Sequence, residues 1–192
     1  MDIEIRKLTP EQADAYIHFF DVTPHDNEVD EEKCYCVGWC GSGPQDFSCR
    51  EKRRSYAREI VENGLLQGYL AYCDGEAVGW CNAGVKADCL QSPAWTYFMS
   101  DVPTDEADAG VKSIFCFVIA PHMKRKGIAT KLLERVCADA AADGLSFVEV
   151  YPNKQLDKDY LEFMGPAAMY EKNGFTVTAA VKDRFVMRKK LV

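Results

Sequence analysis

Three consecutive cations, Lys124, Arg125 and Lys126, run directly into Gly127. Beyond it, apolar residues recur at helical spacing: Ile128, Leu132, Val136 and Ala140, with Leu133 and Cys137 beside them. A helix starting there has unpartnered N–H groups in its first turn and partial positive charge at that end. Gly127 lets a ligand approach the backbone with no side chain in the way. The chemistry on offer is anion binding, and a diphosphate is the natural guest. Two common phosphate loops do not fit. A Walker A loop needs its lysine after the glycine, and Lys126 precedes Gly127; a dinucleotide fingerprint needs three glycines, and this turn has one.

Other chemistry-bearing residues are more scattered. Of the three histidines, His18 falls in the first helix, His122 is expected to be exposed in the basic turn, and His25 is a candidate base in a loop. Cys34, Cys36 and Cys40, then Cys49, raise the question of zinc, but only Cys36 and Cys40 have knuckle spacing. We therefore expect no metal. Small packing residues lining a substrate pocket, with Tyr35 and Trp39 as aromatic walls, fit better. Arg50, Lys52, Arg53, Arg54 and Arg58 share a helix and form either a solvated face or a patch for phosphates or an acidic substrate.

The elements that must position these residues are legible in order. Asp2–Leu8 alternates like a strand, and Thr9-Pro10-Glu11-Gln12 is a helix start with Ala13, Tyr16, Ile17 and Phe20 as its buried face. Glu28–Phe47 is irregular. A helix is predicted from Ser48 to Asn63-Gly64. Leu65–Cys73 and Glu76–Gly84 flank Asp74-Gly75, a two-residue hairpin signal. Asp88–Ala109 reads as a loop. Ile114–Ala120 is a buried strand, Gly127–Gly144 the helix already described, and Ser146–Tyr151 another strand. Gly165-Pro166 opens a short helix, Ala167–Asn173, before a closing hairpin, Phe175–Val181 and Arg184–Lys190. Strands that both alternate with helices and pair as hairpins point to a mixed sheet with helices packed on it.

Composition narrows the function classes. The 192 residues, 47% hydrophobic and 28% charged, suit one cored domain spanning 1–192. A net charge of -7 disfavours nucleic acid as the main partner. No apolar run is long enough to span a bilayer, so no membrane partner is expected. The N-terminus lacks a signal-peptide pattern, so a cytoplasmic protein with reduced thiols is expected.

Ile119-Ala120-Pro121 followed by Lys124-Arg125-Lys126-Gly127-Ile128-Ala129 resembles the acyl-CoA turn of the GNAT (Gcn5-related) N-acetyltransferase superfamily. Ala168-Met169-Tyr170-Glu171-Lys172-Asn173-Gly174-Phe175 is similar to that family's C-terminal signature, and Phe147-Val148-Glu149-Val150 with Asn153 to the strand and asparagine before it. The resemblance is clear from about Leu65 onward. It implies an α+β, α/β/α-layered fold: a mixed, mostly antiparallel sheet of six to seven strands, helices on both faces, and a splayed parallel strand pair. It implies acetyl-CoA as co-substrate, with its pantetheine arm along Phe117, Val118 and Ile119 and near Asn153. The diphosphate would lie on the turn of Lys124, Arg125, Lys126, Gly127, Ile128 and Ala129, with Thr130 just beyond. The implied reaction is direct attack by a primary amine of a small molecule or peptide, with Tyr170 protonating the departing thiolate. Some members keep a glutamate base on the first splayed strand; Ile114–Ala120 has none, which leaves Glu149 on its neighbour, or a water chain. Lys124 stands where Arg or Gln is usual and lacks the planar guanidinium fork. A CoA-binding protein of this fold without transferase activity is the alternative, and a homodimer is left open.

Overall fold

The computed structural model describes residues 2–24, 29–41, 45–155 and 163–191. Its elements in chain order are β1 (Ile3–Lys7), α1 (Ala13–Val22), α2 (Arg50–Glu62), β2 (Gly68–Cys73) and β3 (Glu76–Val85). Two short helices follow, α3 (Lys86–Cys89) and α4 (Pro93–Phe98), then β4 (Val111–Ile119) and α5 (Ile128–Ala142). β5 (Phe147–Val150), α6 (Ala167–Lys172), β6 (Thr176–Val181) and β7 (Arg184–Lys190) complete the series.

The strands form one seven-stranded sheet in the order β1-β2-β3-β4-β5-β7-β6. β4 and β5 are parallel, and the other neighbours are antiparallel. Adjacent residues of a strand point to opposite faces, and β3 shows what each face carries. Trp80 meets Tyr16 of α1 edge to face at 4.9 Å, whereas a Cβ on Gly79 would lie 3.1 Å from Ile128 of α5. Helices α1 and α5 therefore cover opposite faces. Among the described residues no helix is long and apolar enough to cross a membrane.

Local chemistry explains most boundaries. Gln12 Oε1 accepts the Thr9 N–H at 2.8 Å, the reciprocal half of a capping box, although the first turn is a 3-10 turn and α1 proper starts at Ala13. At the Asp74-Gly75 hairpin both residues have positive φ, 51° and 87°, as a tight two-residue turn requires. α2 starts at Arg50 rather than Ser48, because Asp46 captures the Ser48 N–H at 3.0 Å and leaves Cys49 as the extended N-cap. The Asp88–Ala109 segment is not simply a loop. Ser92 Oγ caps α4 by accepting the Trp95 N–H at 3.2 Å, with Pro93 in the first turn.

The arginine-rich face of α2 is neither merely solvated nor an open anion patch. Arg54 forks onto Asp21 at 2.8–3.1 Å, Arg58 pairs with Asp14 and Glu62, and Arg50 pairs with Asp30. Arg53 donates to three backbone carbonyls, those of Glu31, Lys33 and Phe47. Hydrogen bonds from a charged donor contribute about 1.5–3 kcal/mol each. They clamp a stretch in which Tyr35 and Cys36 both hold left-handed φ, 47° and 52°, at a cost of about 1–3 kcal/mol each.

Candidate active site

β4 pairs with β5 only from Val111–Phe147 to Ile114–Val150, yet it continues alongside β3 to Ile119. The two parallel strands part because the chain after Val150 follows β7 instead. The Pro152 carbonyl accepts the Phe185 N–H at 2.9 Å, and Asn153 bridges to Arg184. The Tyr151 ring, just past the branch point, stacks on Phe115 at 5.8 Å, and Phe115 stacks on Trp39 at 4.6 Å. On the other edge of β4, Ala120 N–H donates to Val78 of β3 at 3.0 Å. Because polar backbone groups alternate along a strand, Phe117 and Ile119 turn their N–H and C=O groups to the side that β5 has left.

A cleft of 1120 Å³ opens there. Phe117, Val118 and Ile119 form one wall, Gly165, Pro166 and Met169 another, and the turn before α5 the end. In that turn Arg125 and Gly127 both have positive φ, 64° and 78°, and no side chain caps α5. The first-turn amides of Ile128, Ala129 and Thr130 therefore face the opening without intrahelical partners. The charged side chains among the described lining residues are Lys124, Arg125 and Lys172, with no carboxylate. In a chain of net charge -7 this cleft is a local focus for an anion.

Not every residue singled out from the sequence lines it. Lys126 turns its ammonium toward Met123 Sδ, 3.7 Å away. Asn153 is buried at its bridge to Arg184. Tyr170 is fully buried on α6, and its hydroxyl donates to the Met164 carbonyl at 2.5 Å. Burial pushes its phenol well above the ordinary value of about 10. The cleft is nevertheless one residue away: a Cβ on Gly165, which lines it, would come within 2.9 Å of the Tyr170 hydroxyl oxygen.

Glu149 lies on β5 in a buried ion cluster. One carboxylate oxygen meets Lys86 Nζ at 3.0 Å and accepts the Tyr151 hydroxyl at 2.7 Å; the other is bound by Arg188 Nε. Lys86 also pairs with buried Asp108 at 3.0 Å and donates to the Pro103 carbonyl at 2.7 Å. Tyr151 in turn shares a 2.6 Å hydrogen bond with Ser113 of β4. Every oxygen of Glu149 is thus committed, beside the point where the strands part.

His18 and His122 are exposed, and His25 lies outside the described residues. Cys36 is buried against β3, its sulfur accepting from Asn82 Nδ2 at 3.4 Å, while Tyr35 and Trp39 are buried in the core and do not line the cleft. Among the described residues no group of three or more His, Cys, Asp or Glu side chains could hold a metal ion. The α6 wall, including Gly165 and Lys172, was missed as part of the cleft lining. Its signal was the Gly165-Pro166 break, which sets a left-handed φ of 74° before the helix.

A family model described as Acetyltransferase (GNAT) family matches residues 9–175. The chain is similar to the solved structure of an acetyltransferase of the GNAT family from Streptococcus pneumoniae, with 16% identity and a TM-score of 0.56 over 100% of both chains. It is similar to the PaiA N-acetyltransferase from Thermoplasma acidophilum in complex with coenzyme A, with 18% identity and a TM-score of 0.52 over 99% of each chain. A third likeness is to the ribosomal-protein-S18-alanine N-acetyltransferase from Escherichia coli: 12% identity, TM-score 0.53, covering 99% of this chain and 94% of that one. At these identities the structural likeness is one of fold. No curated protein matches the chain by sequence.

Proposed function

Because the chain belongs to the acetyltransferase (GNAT) family, we propose that it transfers an acetyl group from acetyl-CoA to a primary amine by direct attack. The observation that carries this reading is the cleft beyond Ile114, where a strand edge meets an uncapped helix start and charged side chains of one sign. Phe117 and Ile119 offer backbone groups to the amides of a pantetheine arm. Gly127, Ile128, Ala129 and Thr130 offer N–H groups to a diphosphate, with Lys124, Arg125 and Lys172 supplying charge. A Cβ at Gly127 would meet nothing within 4 Å, so the turn leaves the space a phosphate needs. The related fold from Thermoplasma acidophilum holds coenzyme A. Residues 1–192 are read as one such domain.

In the proposed reaction the amine nitrogen attacks the thioester carbonyl carbon and the C–S bond breaks. The CoA sulfur leaves as a thiolate and takes a proton from the Tyr170 hydroxyl; the new ammonium gives its proton to water, and Tyr170 is reprotonated. Burial favours the protonated phenol, the form a general acid needs. For this the hydroxyl turns its hydrogen from the Met164 carbonyl to the sulfur, past Gly165. Glu149 is assigned to positioning, since Lys86, Arg188 and Tyr151 occupy its oxygens and hold the point where β4 and β5 diverge.

A CoA-binding protein without transfer is favoured by one observation, that neither carboxylate nor histidine is among the described residues lining the cleft. One experiment separates the readings: thermal shift with acetyl-CoA, then thiol release with a panel of amines, amino acids, polyamines and peptides. A shift with release supports the enzyme, a shift without release the binding protein, and no shift removes both.

A further inference from the structure

A second opening, of 170 Å³, lies at the foot of the β6–β7 hairpin, lined by Tyr97, Phe98, Asp101, Lys182, Asp183 and Arg184 among others. Its deepest charge is Arg184, whose side chain is only 11% exposed. The Arg184 Nη1 group donates to two thioethers, Met99 Sδ at 3.2 Å and Met164 Sδ at 3.5 Å. The nearest carboxylate, that of Asp183, is 67% exposed and stands 3.5 Å from Nε. Among the described residues no oxygen takes Nη2. A guanidinium presents five N–H donors in a fork suited to two oxygens, and a thioether sulfur is a weak acceptor. This cation is therefore nearly withdrawn from water with no bidentate partner.

Arg184 is also close to the proposed chemistry. Met164 gives its sulfur to Arg184 and its carbonyl to the Tyr170 hydroxyl, and the next residue, Gly165, lines the large cleft. The two acids of the opening sit at its rim and are already engaged. Asp101 is paired with Lys182, and Asp183 with Arg184. Above them Tyr97 is 80% exposed and Phe98 45%, their rings edge to face at 4.8 Å.

We propose that this opening is the acceptor site and takes an amine that also carries a carboxylate, an α-amino acid with an apolar or aromatic side chain. Its carboxylate lies in the Arg184 fork, its side chain against Tyr97 and Phe98, and its amine toward Met164 and the thioester. This assignment rests on the acetyltransferase reading above.

The test uses the full chain and measures thiol release from acetyl-CoA with phenylalanine, phenylalanine amide and phenethylamine. A site built to bind a polar group rejects the analogue lacking it strongly. The expected kcat/KM for phenylalanine exceeds that for phenethylamine by about 100-fold or more. R184M is expected to raise the KM for phenylalanine at least about tenfold and to narrow the preference for phenylalanine over phenethylamine, with R184K intermediate. Equal use of the three compounds by the wild-type chain, or release with other amines and none with phenylalanine, overturns the proposal without a variant. An unchanged KM in a folded R184M also overturns it. Failure of the parent reading looks different: no thermal shift with acetyl-CoA, or no release with any amine.

Discussion

Lys86 and Glu149 form an ion pair at 3.0 Å in which neither side chain is exposed to solvent. Without Lys86, two buried carboxylates, Glu149 and Asp108, must share Arg188, and such an uncompensated buried charge costs about 3–5 kcal/mol, whereas removing Glu149 as well restores the charge balance. Lys86→Met is therefore expected to lose that much in urea-unfolding stability, and Lys86→Met with Glu149→Met to recover most of it. A single variant within about 1 kcal/mol of wild type would show that the cluster is not a structural pin.

Tyr170→Phe keeps the ring and removes the hydroxyl. Leaving the Met164 carbonyl unpaired costs about 1–3 kcal/mol, which a folded chain tolerates. Acetyl-CoA should still raise the melting temperature, while turnover falls about 100- to 10,000-fold. Because burial raises the phenol, ionisation of Tyr170 should bring no alkaline loss of wild-type turnover below about pH 10. Unchanged turnover in the variant removes Tyr170 from the mechanism.

At Gly127 the φ of 78° costs a residue with a side chain about 1–2 kcal/mol, and the added Cβ clashes with nothing in the protein. Gly127→Ala should therefore fold but bind CoA at least about tenfold more weakly, since the methyl enters phosphate space. Lys124→Ala should weaken binding mainly at low ionic strength, because exposed charges are screened beyond about 10 Å at 0.1 M salt. Calorimetric titration at two salt concentrations reads both effects.

Asp21 links α1 to α2. Burial pulls its carboxyl up, but hydrogen bonds from Arg54 and Tyr35 and the charge of Arg50 outweigh this and hold it below its ordinary value. A carboxyl lowered in the folded state adds stability above its unfolded pKa of about 3.9 and loses it as pH falls through the folded value. Asp21→Asn should be less stable than wild type by about 1 kcal/mol at pH 7, and the gap should narrow as acid carries the pH below about 3.9 and through the lowered folded value. A gap that does not narrow with acid would assign the loss to packing.

The parts of the fold that local chemistry dictates were legible. Asp74-Gly75, the apolar stripe from Ile128, and the turn signals at Gly144 and Gly174 each specify backbone shape within a few residues. The basic end of the cleft was readable for the same reason, since cations, glycine and helix are contiguous. The residues that escaped depend on distant partners. Nothing around Lys86 or Arg188 announces that they meet on Glu149, and Ser48 resembled a cap until Asp46 took its amide. The α2 arginines read as a surface because their acids lie up to 44 positions away. Arg184 looked like an ordinary strand residue, and only the hairpin fold brings it to Met99 and Met164.

Beyond Ile114 one edge of β4 has no neighbouring strand in β5. On the proposed reading, a pantetheine arm in that gap would act as a surrogate strand, and the substrate would complete the sheet. A ligand bound only by the native state adds about 2.7 kcal/mol of stability when its concentration is a hundredfold above Kd. Survival against proteolysis would then rise and fall with acyl-donor supply. The abundance of the protein, and not only its rate, would report the metabolic state of the cell.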